Sequence, residues 1–130
     1  MRIWRRAFRP SCAGLFVENG VLYGQRDATD PAFRLLVSTA EQREFLEPIP
    51  VPLNNARVFL DIELGSRRPV EVPEGATVYR PAAAPRNRGD KLYTITVYTA
   101  TNEVFIGYPA SGGEARNMFR AIEKLVKSTQ

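Results

Sequence analysis

Histidine is absent from this chain. That excludes histidine-based catalytic triads, histidine metal sites and switches that work by imidazole protonation. Cys12 is the only cysteine, so no internal disulfide and no cysteine-cluster zinc site can form. Arg9 stands three residues from Cys12 and could lower a thiol pKa, but no histidine is there to serve as partner base, and a catalytic thiol is not expected. A lone thiol is compatible with a reducing compartment, and a cytoplasmic location is the expectation. No apolar run approaches the roughly 20 residues a membrane helix needs. The first residues are too short and too charged for a secretory signal. Their Arg-rich, acid-free character resembles a mitochondrial presequence, but Arg9-Pro10 interrupts it and no Ser-rich extension follows. Gly112-Gly113 precedes a helical stretch without the Lys-Ser/Thr of a phosphate loop. No internal repeat is visible, and neither a cofactor nor a metal is expected.

What is present fits one domain spanning 1–130, of 14.6 kDa. A chain of this length buries roughly two-thirds of its unfolded surface and can hold a core unaided. The 18 basic residues exceed the 14 acidic ones by four. Arg2, Arg5, Arg6 and Arg9 all precede the first acid, Glu18, and from there bases and acids balance. The surplus charge is therefore confined to a basic N-terminal segment, residues 1–10.

Hydrophobic patterning predicts short strands. Arg2 to Arg9 could be one, ended by Pro10, which cannot donate to a ladder. Asn19-Gly20 between Gly14-Leu15-Phe16-Val17 and Val21-Leu22-Tyr23 is a hairpin signal, because both turn residues tolerate positive φ. Phe33 to Val37 is a short apolar strand candidate. Pro48-Ile49-Pro50-Val51-Pro52 suits an edge strand or an extended crossing. Val58, Leu60, Ile62 and Leu64 alternate with Asp61 and Glu63, the pattern of a half-buried strand. Val70-Glu71-Val72 and Thr77-Val78-Tyr79 read as brief strands. Residues 81–90, rich in Pro, Ala, Arg, Asn and Gly, read as a mobile loop. Residues 92–98 and 104–108 predict an antiparallel hairpin. A helix over 112–128 follows, with Ser111 and Glu114 spaced as a capping box. Its apolar residues, Ala115, Met118, Phe119, Ile122, Leu125 and Val126, share one face; Arg116, Arg120, Lys124 and Lys127 share the other.

Many short strands and one terminal amphipathic helix make a mainly β, α+β chain. Four stretches resemble the pleckstrin homology (PH) family. They are the strand, Asn-Gly turn and strand of residues 16–23; Ile49-Pro50-Val51-Pro52 with the later Val58; the hairpin of 93–108; and the helix start at Gly113-Glu114-Ala115-Arg116-Asn117-Met118. The family's helix tryptophan is replaced here, most simply by Met118, while the only tryptophan is Trp4. The resemblance implies a PH-like bent antiparallel barrel or sandwich of about seven strands, closed by the C-terminal helix.

It also implies a non-enzymatic module that docks a protein or peptide partner as a scaffold or adaptor. The alternative is peripheral binding to a phosphoinositide or other anionic lipid headgroup. Arg5, Arg6 and Arg9, beside Trp4 and Phe8, are the candidate grip, because guanidinium forks match phosphate oxygens. Arg6-Ala7-Phe8 matches the family's basic motif only in part, and Arg9-Pro10-Ser11 breaks the run. Arg86, Arg88 and Lys91, with Arg80, form a second basic group around the 81–90 loop. Arg88-Gly89-Asp90 spells an integrin-type tripeptide too short to carry weight. A nucleic-acid partner, stacking on Trp4, Tyr93 or Tyr98 beside the helix stripe, is unlikely at so modest a net charge. Asp61 and Glu63 share a strand face but read as solubilising charges, and Glu71 and Glu74 the same.

Overall fold

The structure is a computed structural model that describes residues 10–25, 48–81, 84 and 89–129. Among these, eight strands and one helix form: β1 Ser11–Cys12, β2 Leu15–Glu18, β3 Val21–Gly24, β4 Ile49–Pro50, β5 Arg57–Leu64, β6 Thr77–Tyr79, β7 Lys91–Tyr98, β8 Glu103–Gly107 and α1 Gly112–Ser128. The strands make two four-stranded sheets, ordered β1-β2-β3-β4 and β5-β7-β8-β6. The Phe33 to Val37 strand expected from the sequence lies outside the described residues.

Local chemistry explains most of these elements. Asn19 and Gly20 both take positive φ, 51° and 75°, at the turn that sets Glu18 opposite Val21. That left-handed pair matches the twist of the strands on either side. The proline-rich segment supplies an edge strand of two residues, β4, paired to β3 alone among the described residues. The helix begins where the capping signal stands: the Ser111 hydroxyl accepts from the Glu114 N–H at 3.2 Å, and the Glu114 carboxylate accepts from the Ala110 N–H at 3.4 Å. Lys127 in the last turn suits the negative end of the helix dipole.

Two expectations need correction. Among the described residues there is no closed barrel; an isolated bridge joins Ala13 and Tyr108, where the Tyr108 N–H donates to the Ala13 carbonyl at 2.9 Å. The second sheet is also not wholly antiparallel, because β6 runs parallel to β8. Since β5 and β8 are each antiparallel to β7, β5, β8 and β6 all point the same way. The chain must therefore travel back along the sheet between β5 and β6 before it can start the new strand. Residues 65–76 make that return. The expected strand Val70-Glu71-Val72 falls inside it and joins no ladder; Pro69 and Pro73 flank it, each without an N–H to give.

The core lies between the two sheets and α1. Leu15 and Leu22 of the first sheet meet Ile95, Val97, Phe105 and Tyr79 of the second, and Met118, Ile122 and Val126 of the helix close it. Met118 is fully buried. The Tyr79 and Phe105 rings stack at 4.6 Å. Gly24 lets a strand backbone lie against Phe105: a Cβ there would stand 2.4 Å from the ring. The basic helix stripe, Arg116, Arg120, Lys124 and Lys127, is exposed.

Candidate functional site

Side chains of a strand alternate between faces, so β7 divides its residues. Ile95 and Val97 face the core, while Thr94, Thr96 and Tyr98 face the opposite, outer side. The ladder sets Arg57 opposite Tyr98, Phe59 opposite Thr96 and Asp61 opposite Thr94 on that same side. Residues 68–73, part of the return from β5 to β6, pass over this face as a strap. Between strap and strands lies an open groove of about 510 Å³.

The strap is held at separate points. The Tyr98 hydroxyl donates to the Glu71 carbonyl at 2.8 Å. Arg68 pairs with Glu63 at 3.1 Å. Just before the strap, the Arg67 guanidinium sits 4.6 Å from the Tyr108 ring centre, and its Nε donates to the Tyr93 carbonyl at 3.4 Å. At the turn after it, the Asn102 amide donates to the Glu74 carbonyl at 3.4 Å.

The groove combines aromatic surface with both signs of charge. Phe59 and Tyr98 meet edge to face at 5.7 Å, with the Arg57 guanidinium 5.9 Å and 5.5 Å from their centres. Phe59 is 45% exposed, so it keeps apolar surface for a ligand. Asp61 and Glu71 add carboxylates, and the Tyr98 phenol is pushed above its ordinary pKa, first by burial and then by those two acids, against the opposing effect of Arg57. Beneath them, the Thr96 hydroxyl is buried with no hydrogen-bond partner in a residue only 2% exposed. A buried hydroxyl left unbonded is destabilising, and this one belongs to a residue that lines the groove.

Trp4, Arg5, Arg6, Arg9, Arg86 and Arg88 lie outside the described residues. Lys91 opens β7 and is exposed opposite Leu64, away from the groove. Asp61, Glu63 and Glu71, read from sequence as solubilising charges, line the groove. Sequence reasoning missed Arg57, Phe59 and Thr96; the available signal was Phe59, an aromatic on the charged face of an alternating strand. Cys12 also differs from a nucleophile's setting. Burial, then the Glu114 carboxylate, push its thiol up to about 12 despite a hydrogen bond with the Leu15 backbone. Among the described residues no three metal-binding side chains converge, and no helix is long and apolar enough to cross a membrane.

Comparison of the chain with protein-family models, with curated proteins and with solved structures returned no match.

Proposed function

We propose that the chain is a non-enzymatic interaction module, PH-like in its element order, that docks an extended segment of a protein partner in the groove between the strap and the β5–β7 face. The observation that carries this reading is the groove itself: a strand-built floor about as long as a short peptide, the exposed Phe59 ring, charges of both signs, and the unbonded Thr96 hydroxyl. Such a combination offers an apolar anchor with a few polar groups to fix orientation, which is how binding grooves gain specificity. The two sheets and closing helix support a PH-like reading, while the parallel β6–β8 pair departs from it.

Selection from a displayed library of extended peptides tests this. Peptides selected on the wild-type chain should bind Phe59→Ala about tenfold more weakly or worse, as befits loss of an aromatic anchor. Peptides that bind both proteins equally would sink the groove as the docking site.

The second reading, binding to an anionic lipid headgroup, is favoured by the concentration of surplus charge in Arg2, Arg5, Arg6 and Arg9. Phosphoinositide vesicles should then sediment the protein, and Arg5→Ala/Arg6→Ala should abolish it. Unchanged sedimentation of that variant removes the lipid reading.

A further inference from the structure

Each four-stranded sheet has two outer strands, and three of the four are short. β1 and β4 have two residues each, β4 including Pro50, and β6 has three. Shortness, proline and charge are the usual means of keeping an edge from pairing with another chain, and of these β5 has only charge, in Arg57, Asp61 and Glu63. It runs eight residues in unbroken register with β7, contains no proline, glycine or lysine, and has no partner on its other side among the described residues. It also ends in exposed apolar side chains, Ile62 at 56% and Leu64 at 74%.

The sequence of β5 names an occupant for that edge. Its groove-side residues are Arg57, Phe59, Asp61 and Glu63, with the base at one end and both acids toward the other. Its opposite side carries Val58, Leu60, Ile62 and Leu64. Such a strand is complementary to itself read backwards. We infer that β5 pairs antiparallel with β5 of a second copy of this chain, about a two-fold axis at Leu60.

In that register Arg57 of one copy stands opposite Glu63 of the other and diagonal to its Asp61. Val58 stands opposite Ile62, and Leu60 opposite Leu60. Directly opposite residues meet apolar to apolar or base to acid, except that Phe59 stands opposite Asp61; the two Asp61 residues are diagonal to each other across the axis. Opposite charges directly across a ladder stabilise it and like charges destabilise it. Of the two neighbouring frames, the one with Phe59 on the axis pairs only five residues of β5, and the one with Asp61 on the axis sets the two Asp61 carboxylates directly opposite each other. The interface is isologous, so it closes on itself as a dimer instead of growing into a fibre. The two β5-β7-β8-β6 sheets become one continuous sheet, and Arg57 of the second copy arrives beside Asp61 at the margin of the first copy's groove. This inference does not depend on the peptide-docking reading.

Sedimentation equilibrium on the full chain and its charge variants tests it, with far-ultraviolet circular dichroism confirming that each variant is folded. The wild-type chain is expected to dimerise. Arg57→Glu alone and Glu63→Arg alone each set like charges across the axis twice, and should each raise the dimer Kd about tenfold or more. Mixing the two variants in equal amounts should restore the dimer, because both pairs between positions 57 and 63 are then opposite in sign. Ile62→Lys, at a residue outside the groove lining, should weaken the dimer independently. A wild-type chain that stays monomeric at its highest soluble concentration overturns the inference. So does a dimer that survives all three substitutions, or a mixture no tighter than its components.

Discussion

The two faces of the β5-β7-β8-β6 sheet come from the same strands and receive opposite treatment. The core-facing side presents Ile95, Val97 and Phe105, each without exposure, to the helix and the first sheet. The outer side presents Thr94, Thr96, Tyr98 and Phe59 to a strap that touches them at a few points and leaves a groove. One face is saturated by packing throughout; the other buries Thr94, Thr96, Val104 and Ile106 but stays open at Phe59 and Tyr98, where the groove lies. The difference teaches where stability and recognition reside: a substitution on the core face should act on folding, and one on the outer face on binding.

The comparison can be broken most forcefully at Phe105. Phe105→Ala should cost about 3–5 kcal/mol, read as a shift in denaturant midpoint; a loss below ~1 kcal/mol would show that the inner face is not the core. Gly24→Ala is next. Its added methyl would drive into the Phe105 ring, which Tyr79 backs on a stacked contact, and overpacking of this kind costs about 1–3 kcal/mol. On the outer face, Tyr98→Phe removes the single hydroxyl contact to Glu71 and should cost about 0.5–1.5 kcal/mol, with exchange of the strap amides rising more than that of β7. The smallest effect is expected at Thr96. Thr96→Val replaces an unbonded buried hydroxyl with a methyl of similar shape and should leave stability within ~1 kcal/mol of wild type, or raise it. A larger loss there would mean that the hydroxyl is bonded after all.

Alkaline pH acts on both sheets in the same direction. The Cys12 thiol is raised from 9.0 to about 12, and the Tyr98 phenol is raised as well. For both groups the unfolded state ionises first as pH rises. The stabilisation from keeping Cys12 neutral is therefore whole below pH 9 and is lost progressively up to about pH 12. Thermal melts of Cys12→Ala should fall less steeply over that interval than those of wild type. In the folded protein at neutral pH, alkylation of Cys12 by iodoacetamide should be far slower than in denaturant.

Elements governed by neighbouring residues were legible in the sequence. Asn19-Gly20 needed only its own φ preferences to make a turn, and Ser111 with Glu114 needed only one helical turn to make a cap. Sidedness was legible too, but not what covers each side. Val58, Leu60, Ile62 and Leu64 alternate as expected, yet the structure half-buries the first two and exposes the last two, because alternation records which residues share a face and nothing about where the covering element stops. The parallel pairing of β6 was hidden for a related reason. Three residues, Thr77 to Tyr79, hold no record of which way their partner runs; that is set by the long return over the sheet. The groove was missed because its parts are distant in sequence, with Glu71 brought to Tyr98 across 27 positions. The basic candidates at Trp4, Arg5, Arg6, Arg9, Arg86 and Arg88 fall outside the described residues, so the groove stands on other side chains.

The Ala13–Tyr108 bridge carries a consequence for cooperativity. Ladder hydrogen bonds couple strands within a sheet, but across the two sheets the described backbone offers this one isolated pairing. The sheets are otherwise joined by side chains, through Leu15, Leu22, Phe105 and the helix. Each sheet can therefore act as its own unit of local opening, with the shared apolar contacts setting how far one feels the other melt. Tyr108, at the end of β8 and next to the helix start, is the point at which those two units report to each other through the main chain.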